Sequence, residues 1–136
     1  MSKYLIDTSI WVDLYEDRKG LQGEPHGEHA FHLLTRILTL KHTVVVTDFL
    51  IRELETRYSL PEINGMFAWF PVTPIASTQE QLDAAELVSA QRNLPRGDCL
   101  YAVIARDHKL ILVTRDRHFL QLWDFARAFR PEEICL

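Results

Sequence analysis

The sequence predicts a three-layer α/β/α sandwich with a mostly parallel central sheet, and three observations lead to this fold class. The chain has 136 residues, a length that suits one domain of about 100–200 residues. Short apolar runs alternate with longer segments whose apolar residues recur at helical spacing. Residues 43–46 are β-branched throughout, and residues 110–114 form a second apolar run, as expected of strands buried on both faces of a parallel sheet. Strands that alternate with helices indicate parallel pairing.

Each element is predicted from local signals, with capping residues and prolines setting the boundaries. Thr8 or Ser9 can cap the first helix, Thr47 with Asp48 can cap the third, and Pro61 is expected to open a short fourth helix. The predicted order is a strand at 4–6, a helix ending near 17, a loop at 20–27, a helix at 28–40, a strand at 43–46, a helix from 48, a short helix from 61, an edge strand at 71–75, a helix capped by Ser77 or Thr78, a helix opened by Gly97, a strand at 110–114, a last helix near 119–125 and an edge strand at 128–129.

Composition excludes several classes of protein. The chain is 47% hydrophobic and 25% charged, which is typical of soluble globular domains. Its longest apolar stretches are far shorter than the roughly 18 residues of a membrane span, so no membrane association is expected. Cys99 and Cys135 show no metal-ligand spacing and are expected to be reduced thiols of a cytoplasmic protein. The net charge of −4 argues weakly against nucleic-acid binding.

Four acidic residues fall where they can converge. Asp7 follows the first strand and Asp116 follows the strand at 110–114, while Glu53 and Asp98 lie on helices that can face the same edge. Ligands of parallel sheets bind beyond the carboxyl ends of the strands. Clustered carboxylates raise one another's pKa, and a divalent cation relieves that repulsion. An all-oxygen ligand set suits Mg²⁺ or Mn²⁺, which would support phosphodiester hydrolysis by activating water.

Each acid also has a purely structural interpretation. Asp7 could cap the first helix, and Asp98 could be an ordinary charge in a first helical turn. Glu53 could pair with Arg57 at the i,i+4 spacing, and Asp116 could be a turn residue. The joint placement of the four residues favours a site over these alternatives.

Four motifs in order resemble those of PIN-domain ribonucleases, and the resemblance covers nearly the whole chain. Residues 4–14 (YLIDTSIWVDL) resemble the opening of that family, and the spacing from Thr47 to Glu53 and Leu54 resembles its second acidic motif. Residues 98–105 (DCLYAVIA) resemble the third motif, and residues 112–119 (LVTRDRHF) resemble the closing one.

The resemblance extends to VapC-type toxins of prokaryotic toxin–antitoxin pairs. It implies a Mg²⁺-dependent endoribonuclease, a homodimer, and inhibition by a cognate VapB-like antitoxin that inserts near the active site. It also implies that the metal site is formed by four acids: Asp7, Glu53, Asp98 and Asp116. The hydroxyl groups of Ser9 and Thr114 would support this site. The chain departs from the family in the short span between Glu53 and Val72. This span predicts that the pair of helices that would hold the substrate is reduced. The chain also has His118 where many relatives have another acid.

Basic residues are concentrated near the proposed ligands. Residues 92–118 contain six basic and three acidic residues, whereas residues 1–91 contain seven basic and thirteen acidic ones. Arg96, Arg115 and Arg117 flank two of the acids and are candidates to bind substrate phosphates. Arg115 and Arg117 could instead receive an antitoxin carboxylate, and scattered surface arginines are the simpler alternative.

Three other functions remain open at this point: a housekeeping RNA-processing nuclease, a catalytically inactive PIN-like module that binds RNA or protein, and a metal-dependent phosphatase. No Gly-x4-Gly-Lys loop or Gly-x-Ser-x-Gly elbow occurs in the sequence. The remaining candidates are expected to be structural. They are surface histidines (His26, His29, His32, with His26 outside the helix), a solvated helix end (Asp13, Glu16, Asp17), and aromatics that pack in the core or a dimer interface rather than stack on bases (Trp11, Phe67, Trp69, Trp123, Phe125). Asp13 could instead lie at the margin of the pocket.

Overall fold

A computed structural model describes residues 2–136 and has a five-stranded sheet flanked by helices. The elements are β1 (Lys3–Ile6), α1 (Thr8–Glu16), α2 (His26–Thr39), β2 (Thr43–Thr47), α3 (Asp48–Glu55), α4 (Leu60–Trp69), β3 (Thr73–Ile75), α5 (Gln79–Arg92), α6 (Arg96–His108), β4 (Ile111–Val113), a 3₁₀ helix (Arg117–Leu122), β5 (Ala128–Phe129) and a second 3₁₀ helix (Pro131–Glu133). The predicted three-layer α/β/α class is confirmed.

All strand pairs are parallel, in the order β3-β2-β1-β4-β5. The central strand β1 pairs with β2 on one side and β4 on the other, and Leu5 aligns with both Val45 and Leu112. All three of these residues are almost fully buried, as strands covered by helices on both faces require. The short strand β3 contains Pro74 and lies at an edge, where a missing N–H donor is tolerated.

Helix capping follows the sequence signals at α3 and α5, whereas the prediction that Thr8 or Ser9 caps α1 is wrong, because Asp7 occupies that N-cap position. The Thr47 side chain accepts a hydrogen bond from the Leu50 N–H at 3.0 Å at the start of α3. A capping box between Thr78 and Gln81 begins α5, and a second box of the same kind begins α4. These side-chain acceptors satisfy N–H groups that have no partner within the helix.

Two boundary predictions are wrong. The helix predicted near residues 119–125 is a 3₁₀ helix over Arg117–Leu122, so it begins two residues earlier and ends three residues earlier than predicted. Its two buried residues, Phe119 and Leu122, are three positions apart. Because a 3₁₀ helix has three residues per turn, both lie on the same face and pack into the core. Helix α2 begins at His26, which therefore lies inside the helix, because Pro25 serves as its N-cap.

The core is continuous across the sheet, and its largest buried side chains include Trp11, Tyr101 and Phe119. The Trp11 ring meets Phe67 edge-on at 5.2 Å between centroids, so these two aromatics pack as predicted. Trp69 differs, because 82% of it is exposed. None of the helices between residues 2 and 136 combines the length and apolarity of a transmembrane helix.

Candidate metal centre

The predicted acids meet at the carboxyl ends of β1 and β4. The connections leaving these strands run to opposite sides of the sheet, because β1 leads to β2 and β4 leads to β5. Such a switch point leaves a crevice between neighbouring strands, where ligands of parallel sheets bind. Asp7 directly follows β1, and Thr114 directly follows β4.

Asp7 is held by the strands and by two hydroxyl groups. Its carboxylate oxygen Oδ2 accepts hydrogen bonds from Thr114 Oγ1 at 2.8 Å and from Ser9 Oγ at 2.9 Å. Although Asp7 is the N-cap residue of α1, its side chain makes no capping hydrogen bond, so the capping interpretation does not account for it. Burial raises the pKa of Asp7 to about 6, despite the opposing effect of the two hydroxyls. Asp7 is thus a rigidly oriented carboxylate whose negative charge lacks a balancing cation.

Asp98, Asp116 and His118 form a compact cluster beside Asp7. One potential ligand atom from each of the three lies within 4.8 Å of the other two. Burial, followed by the charges of Asp116 and Asp7, raises the pKa of Asp98 to about 6. The Asp116 carboxylate also caps the following 3₁₀ helix by accepting the His118 N–H at 2.9 Å. Asp116 is therefore a turn residue, as one interpretation held, and a member of the cluster as well.

Glu53 is held by two hydroxyl groups and lies close enough to Asp7 for its charge to act on that residue. Its Oε1 accepts hydrogen bonds from Thr8 Oγ1 and from the Tyr101 hydroxyl, each at 2.6 Å. The predicted alternative, an i,i+4 pair with Arg57, is wrong, because the Arg57 guanidinium binds Glu16 at 2.9 Å. The negative charge of Glu53 contributes to the raised pKa of Asp7, which indicates that the two carboxylates share one electrostatic environment.

Tyr101 is a site residue that the sequence did not reveal. Burial, and then the charges of Asp7 and Glu53, raise the pKa of its hydroxyl far above the usual value. The hydroxyl therefore keeps its proton and donates a hydrogen bond to Glu53. No local signal distinguishes Tyr101 from the neighbouring core residues of α6.

The donor set fits a divalent cation. Two carboxyl groups have a pKa raised to about 6, mainly because burial disfavours their charge, and a cation would favour the ionised form of both. Asp7, Asp98 and Asp116 offer the oxygen ligands that Mg²⁺ and Mn²⁺ take in proteins. Glu53 accepts its two hydrogen bonds through Oε1, and the group of ligand atoms within 4.8 Å of one another contains Asp98, Asp116 and His118 but not Glu53.

The three candidate arginines differ in their surroundings. Arg115 is paired with Glu132 through two hydrogen bonds of 2.8 Å and with Asp13 at 3.5 Å, and its side chain is 15% exposed. Arg117 is exposed, and Arg96 is exposed with only a 3.7 Å ion pair to Glu86. A phosphate-binding role stays a prediction for all three, but Arg96 and Arg117 could reach a phosphate without breaking a buried ion pair.

The prediction of a solvated helix end is wrong for one of its three residues, Asp13. Asp13 is only 5% exposed and contacts both Arg115 and Arg18. Glu16 is exposed as predicted, and its hydrogen bonds to Arg57 and Tyr58 lower its pKa to about 2. The helical spacing of Asp13 could not reveal this burial, because its partner Arg115 comes from the segment after β4.

Metal-free protein is expected to become less stable as the pH rises from about 4 to about 6. The pKa values of Asp7 and Asp98 are raised from 3.8 to about 6 in the folded protein, so the folded state holds protons that the unfolded state has released. The stability that these groups contribute is complete below about pH 4 and is lost through about pH 6. The neighbouring charges of Asp116 and Asp98 also raise the pKa of His118, which extends the loss to higher pH.

Thermal unfolding in EDTA measures this dependence, and Mn²⁺ should oppose it. We expect Mn²⁺ to raise the melting temperature at about pH 7 and to have little effect at about pH 5, where protons occupy the carboxylates. A melting temperature in EDTA that rises between these two pH values would contradict the electrostatic account of the site.

An all-parallel sheet with carboxylates gathered at its switch point defines an α/β protein with a candidate divalent-metal site. The model of the PIN domain family matches residues 4–123. Because the match covers most of the chain, the chain belongs to the PIN domain family. No significant match is found among curated proteins.

Solved structures share this fold at low sequence identity. A chain of VapBC2 from Rickettsia felis, bound to a DNA fragment from its promoter, superimposes with a TM-score of 0.69 at 17% identity, over 93% of this chain and 98% of that one. FitAcB from Neisseria gonorrhoeae superimposes with a TM-score of 0.62 at 15% identity, over 96% of this chain and 99% of that one. A chain of a toxin–antitoxin complex from Klebsiella pneumoniae superimposes with a TM-score of 0.61 at 19% identity, over 85% of this chain and 89% of that one.

Proposed function

We propose that this chain is a divalent-metal-dependent endoribonuclease and the toxin of a toxin–antitoxin pair. The observation that carries the nuclease proposal is the convergence of Asp7, Asp98 and Asp116 at the switch point of the sheet, with the pKa values of Asp7 and Asp98 raised. Membership of the PIN domain family supports the same activity.

A bound Mg²⁺ or Mn²⁺ would supply an activated water and neutralise charge that develops on the phosphoryl oxygens. The protein's own contribution is to hold its carboxylates in fixed positions. Ser9 and Thr114 orient the carboxylate of Asp7, while Thr8 and Tyr101 orient that of Glu53. Such fixed ligand positions reduce the reorganisation that catalysis would otherwise require.

Substrate phosphates would contact arginines at the rim. Arg96 lines a cleft of about 540 Å³ together with Glu53 and Arg52, so positive charge lies close to one of the proposed ligands. Arg117 lines a second cavity, of about 270 Å³, together with Asp116 and Arg130. Asp83 and Glu86 also line the first cleft, so the stronger support comes from the second cavity, where Arg117 and Arg130 lie beside Asp116. Arginines beside an acid of the site suit a phosphodiester chain as the substrate, and we propose RNA.

The toxin proposal is supported by the structural relatives. One is described as VapBC2 bound to promoter DNA and another as a toxin–antitoxin complex. We infer a small VapB-like antitoxin as the partner of this chain, a homodimer as its assembly and the cytoplasm as its location, where cellular RNA is the substrate.

RNA cleavage by the purified chain tests the nuclease proposal. We expect structured RNA to be cut internally with Mg²⁺ or Mn²⁺ and to remain intact in EDTA, and cleavage mapping on total RNA should identify the target. Hydrolysis of a small phosphomonoester without RNA cleavage would instead indicate a phosphatase. If Mn²⁺ neither stabilises the fold nor supports cleavage, the chain is an inactive PIN-like module.

Growth during expression tests the toxin proposal. The wild-type chain alone should arrest growth, co-expression of the small protein encoded beside it should relieve the arrest, and an Asp98→Asn variant should grow normally. Normal growth with abundant, RNA-cleaving wild-type protein would contradict the toxin role and favour a housekeeping processing nuclease.

A further inference from the structure

We propose that His118 is a direct ligand of the metal ion through Nδ1, and that it shifts the preference of the site from Mg²⁺ towards transition-metal ions. The proposal rests on the proposed function, because it concerns the ion that RNA cleavage would use. It assigns a role to the residue at which this sequence departs from the acidic pattern of its family.

Backbone geometry brings His118 to the acids. The Asp116 carboxylate accepts the backbone N–H of His118 at 2.9 Å and so begins the 3₁₀ helix. This turn places His118 Nδ1 at 2.9 Å from Asp98 Oδ2 and at 3.0 Å from Asp116 Oδ1. The imidazole nitrogen Nδ1 thus faces the two carboxylates.

The spacing of these atoms matches that of ligands on one ion. Ligand atoms at about 2.1 Å from an octahedral ion lie about 3.0 Å apart when adjacent and about 4.2 Å apart when opposite. The two nitrogen–oxygen distances are 2.9 and 3.0 Å, and the three atoms lie within 4.8 Å of one another. In the metal-free protein these are hydrogen-bond distances from the Nδ1 proton to the two carboxylates, so a bound ion would displace that proton to solvent. Otherwise little rearrangement would be needed to bring the nitrogen and both carboxylates onto one ion.

Replacing an oxygen ligand by an imidazole changes which ions bind best. Mg²⁺ prefers oxygen ligands and retains its waters, whereas Mn²⁺ and, more strongly, Co²⁺ accept imidazole nitrogen. An aspartate at position 118 would give an all-oxygen set, so His118→Asp is expected to reduce selectivity for Co²⁺ over Mg²⁺ by roughly tenfold or more.

Spectroscopy of Mn²⁺-loaded protein tests the ligand directly. Electron spin-echo measurements detect the ¹⁴N nucleus of an imidazole bound to Mn²⁺, and we expect this signal in the wild type and its loss in His118→Gln. The matched control is His108→Gln, because His108 is exposed at the opposite end of α6. The control should keep the ¹⁴N signal.

Titration calorimetry with Co²⁺ and Mg²⁺ measures the change in selectivity in the same variants and in His118→Asp. Circular dichroism in EDTA establishes that each variant is folded, which is expected because 46% of the His118 side chain is exposed.

The two proposals fail in different ways. If wild-type protein binds Mn²⁺ but shows no ¹⁴N signal, and His118→Asp keeps the wild-type selectivity, His118 is not a ligand, while the metal site of the proposed function stands. If wild-type protein binds none of the three ions, both the ligand role and the proposed function are wrong.

Discussion

Replacing Asp7 with asparagine is expected to abolish RNA cleavage and, at the same time, to stabilise the metal-free protein. The loss of activity should be on the order of 10³-fold or more, as for other residues at reacting centres. The gain in stability has a separate cause. Asp7 is 8% exposed and has a pKa raised to about 6 by burial, so above that pH the folded protein carries an unfavourable buried charge.

The amide of asparagine removes this charge and keeps the local hydrogen bonds. Its oxygen can accept from Ser9 and Thr114 as the carboxylate does. Removing a pKa shift of this size is worth about 1–3 kcal/mol in the free energy of unfolding. Urea unfolding of the variant and the wild type in EDTA at about pH 7.5 measures this gain in the free energy of unfolding.

Asp83→Asn serves as the matched control for Asp7→Asn, because Asp83 is exposed on α5. Its free energy of unfolding should change by less than about 0.5 kcal/mol. If Asp7→Asn loses activity and gains stability, Asp7 is a residue retained for function at a cost in stability. An Asp7→Asn variant that is both active and destabilised would show that the carboxylate is structural.

Arg115→Ala is expected to destabilise the fold by about 3 kcal/mol, the magnitude typical of breaking a buried ion pair. The Arg115 guanidinium bridges Glu132, through two hydrogen bonds of 2.8 Å, and Asp13, at 3.5 Å. Without it, Asp13 keeps an ion pair of 3.8 Å with Arg18. Because Asp13 is 5% exposed, an incompletely compensated charge would remain buried.

The neighbouring Arg117 provides the matched control, since it is an exposed arginine two residues away, at the start of the 3₁₀ helix. Arg117→Ala should leave the free energy of unfolding within about 0.5 kcal/mol of the wild type while weakening RNA binding and its dependence on salt. If Arg115→Ala has wild-type stability in urea and weakens RNA binding alone, Arg115 binds phosphate and does not support the fold.

The sequence predicted the features that local signals determine. The β-branched run of β2, the capping residues Thr47 and Thr78, and Pro74 of β3 each specify an element through their neighbours along the chain. Once the strands are known to be parallel, residues that follow them must share one edge of the sheet, and Asp7 and Asp116 accordingly do so.

Contacts between distant segments could not be predicted in this way. Tyr101 and Glu53 are 48 residues apart, and Arg115 and Glu132 are 17 apart. Helical spacing favoured Arg57 as the partner of Glu53, but the packing of α1 against α3 brings Glu16 closer to that arginine. The orientation of the His118 imidazole depends likewise on the turn between Asp116 and His118, which lies just before the helix predicted near 119–125.

Anomalous diffraction from crystals grown with Mn²⁺ tests the central claim most directly, because it locates the ion without assuming its ligands. The account predicts one strong peak at the carboxyl ends of β1 and β4, among the carboxylates of Asp7, Asp98 and Asp116. Crystals of RNA-cleaving protein with no peak there, or with the ion bound only elsewhere, would contradict it.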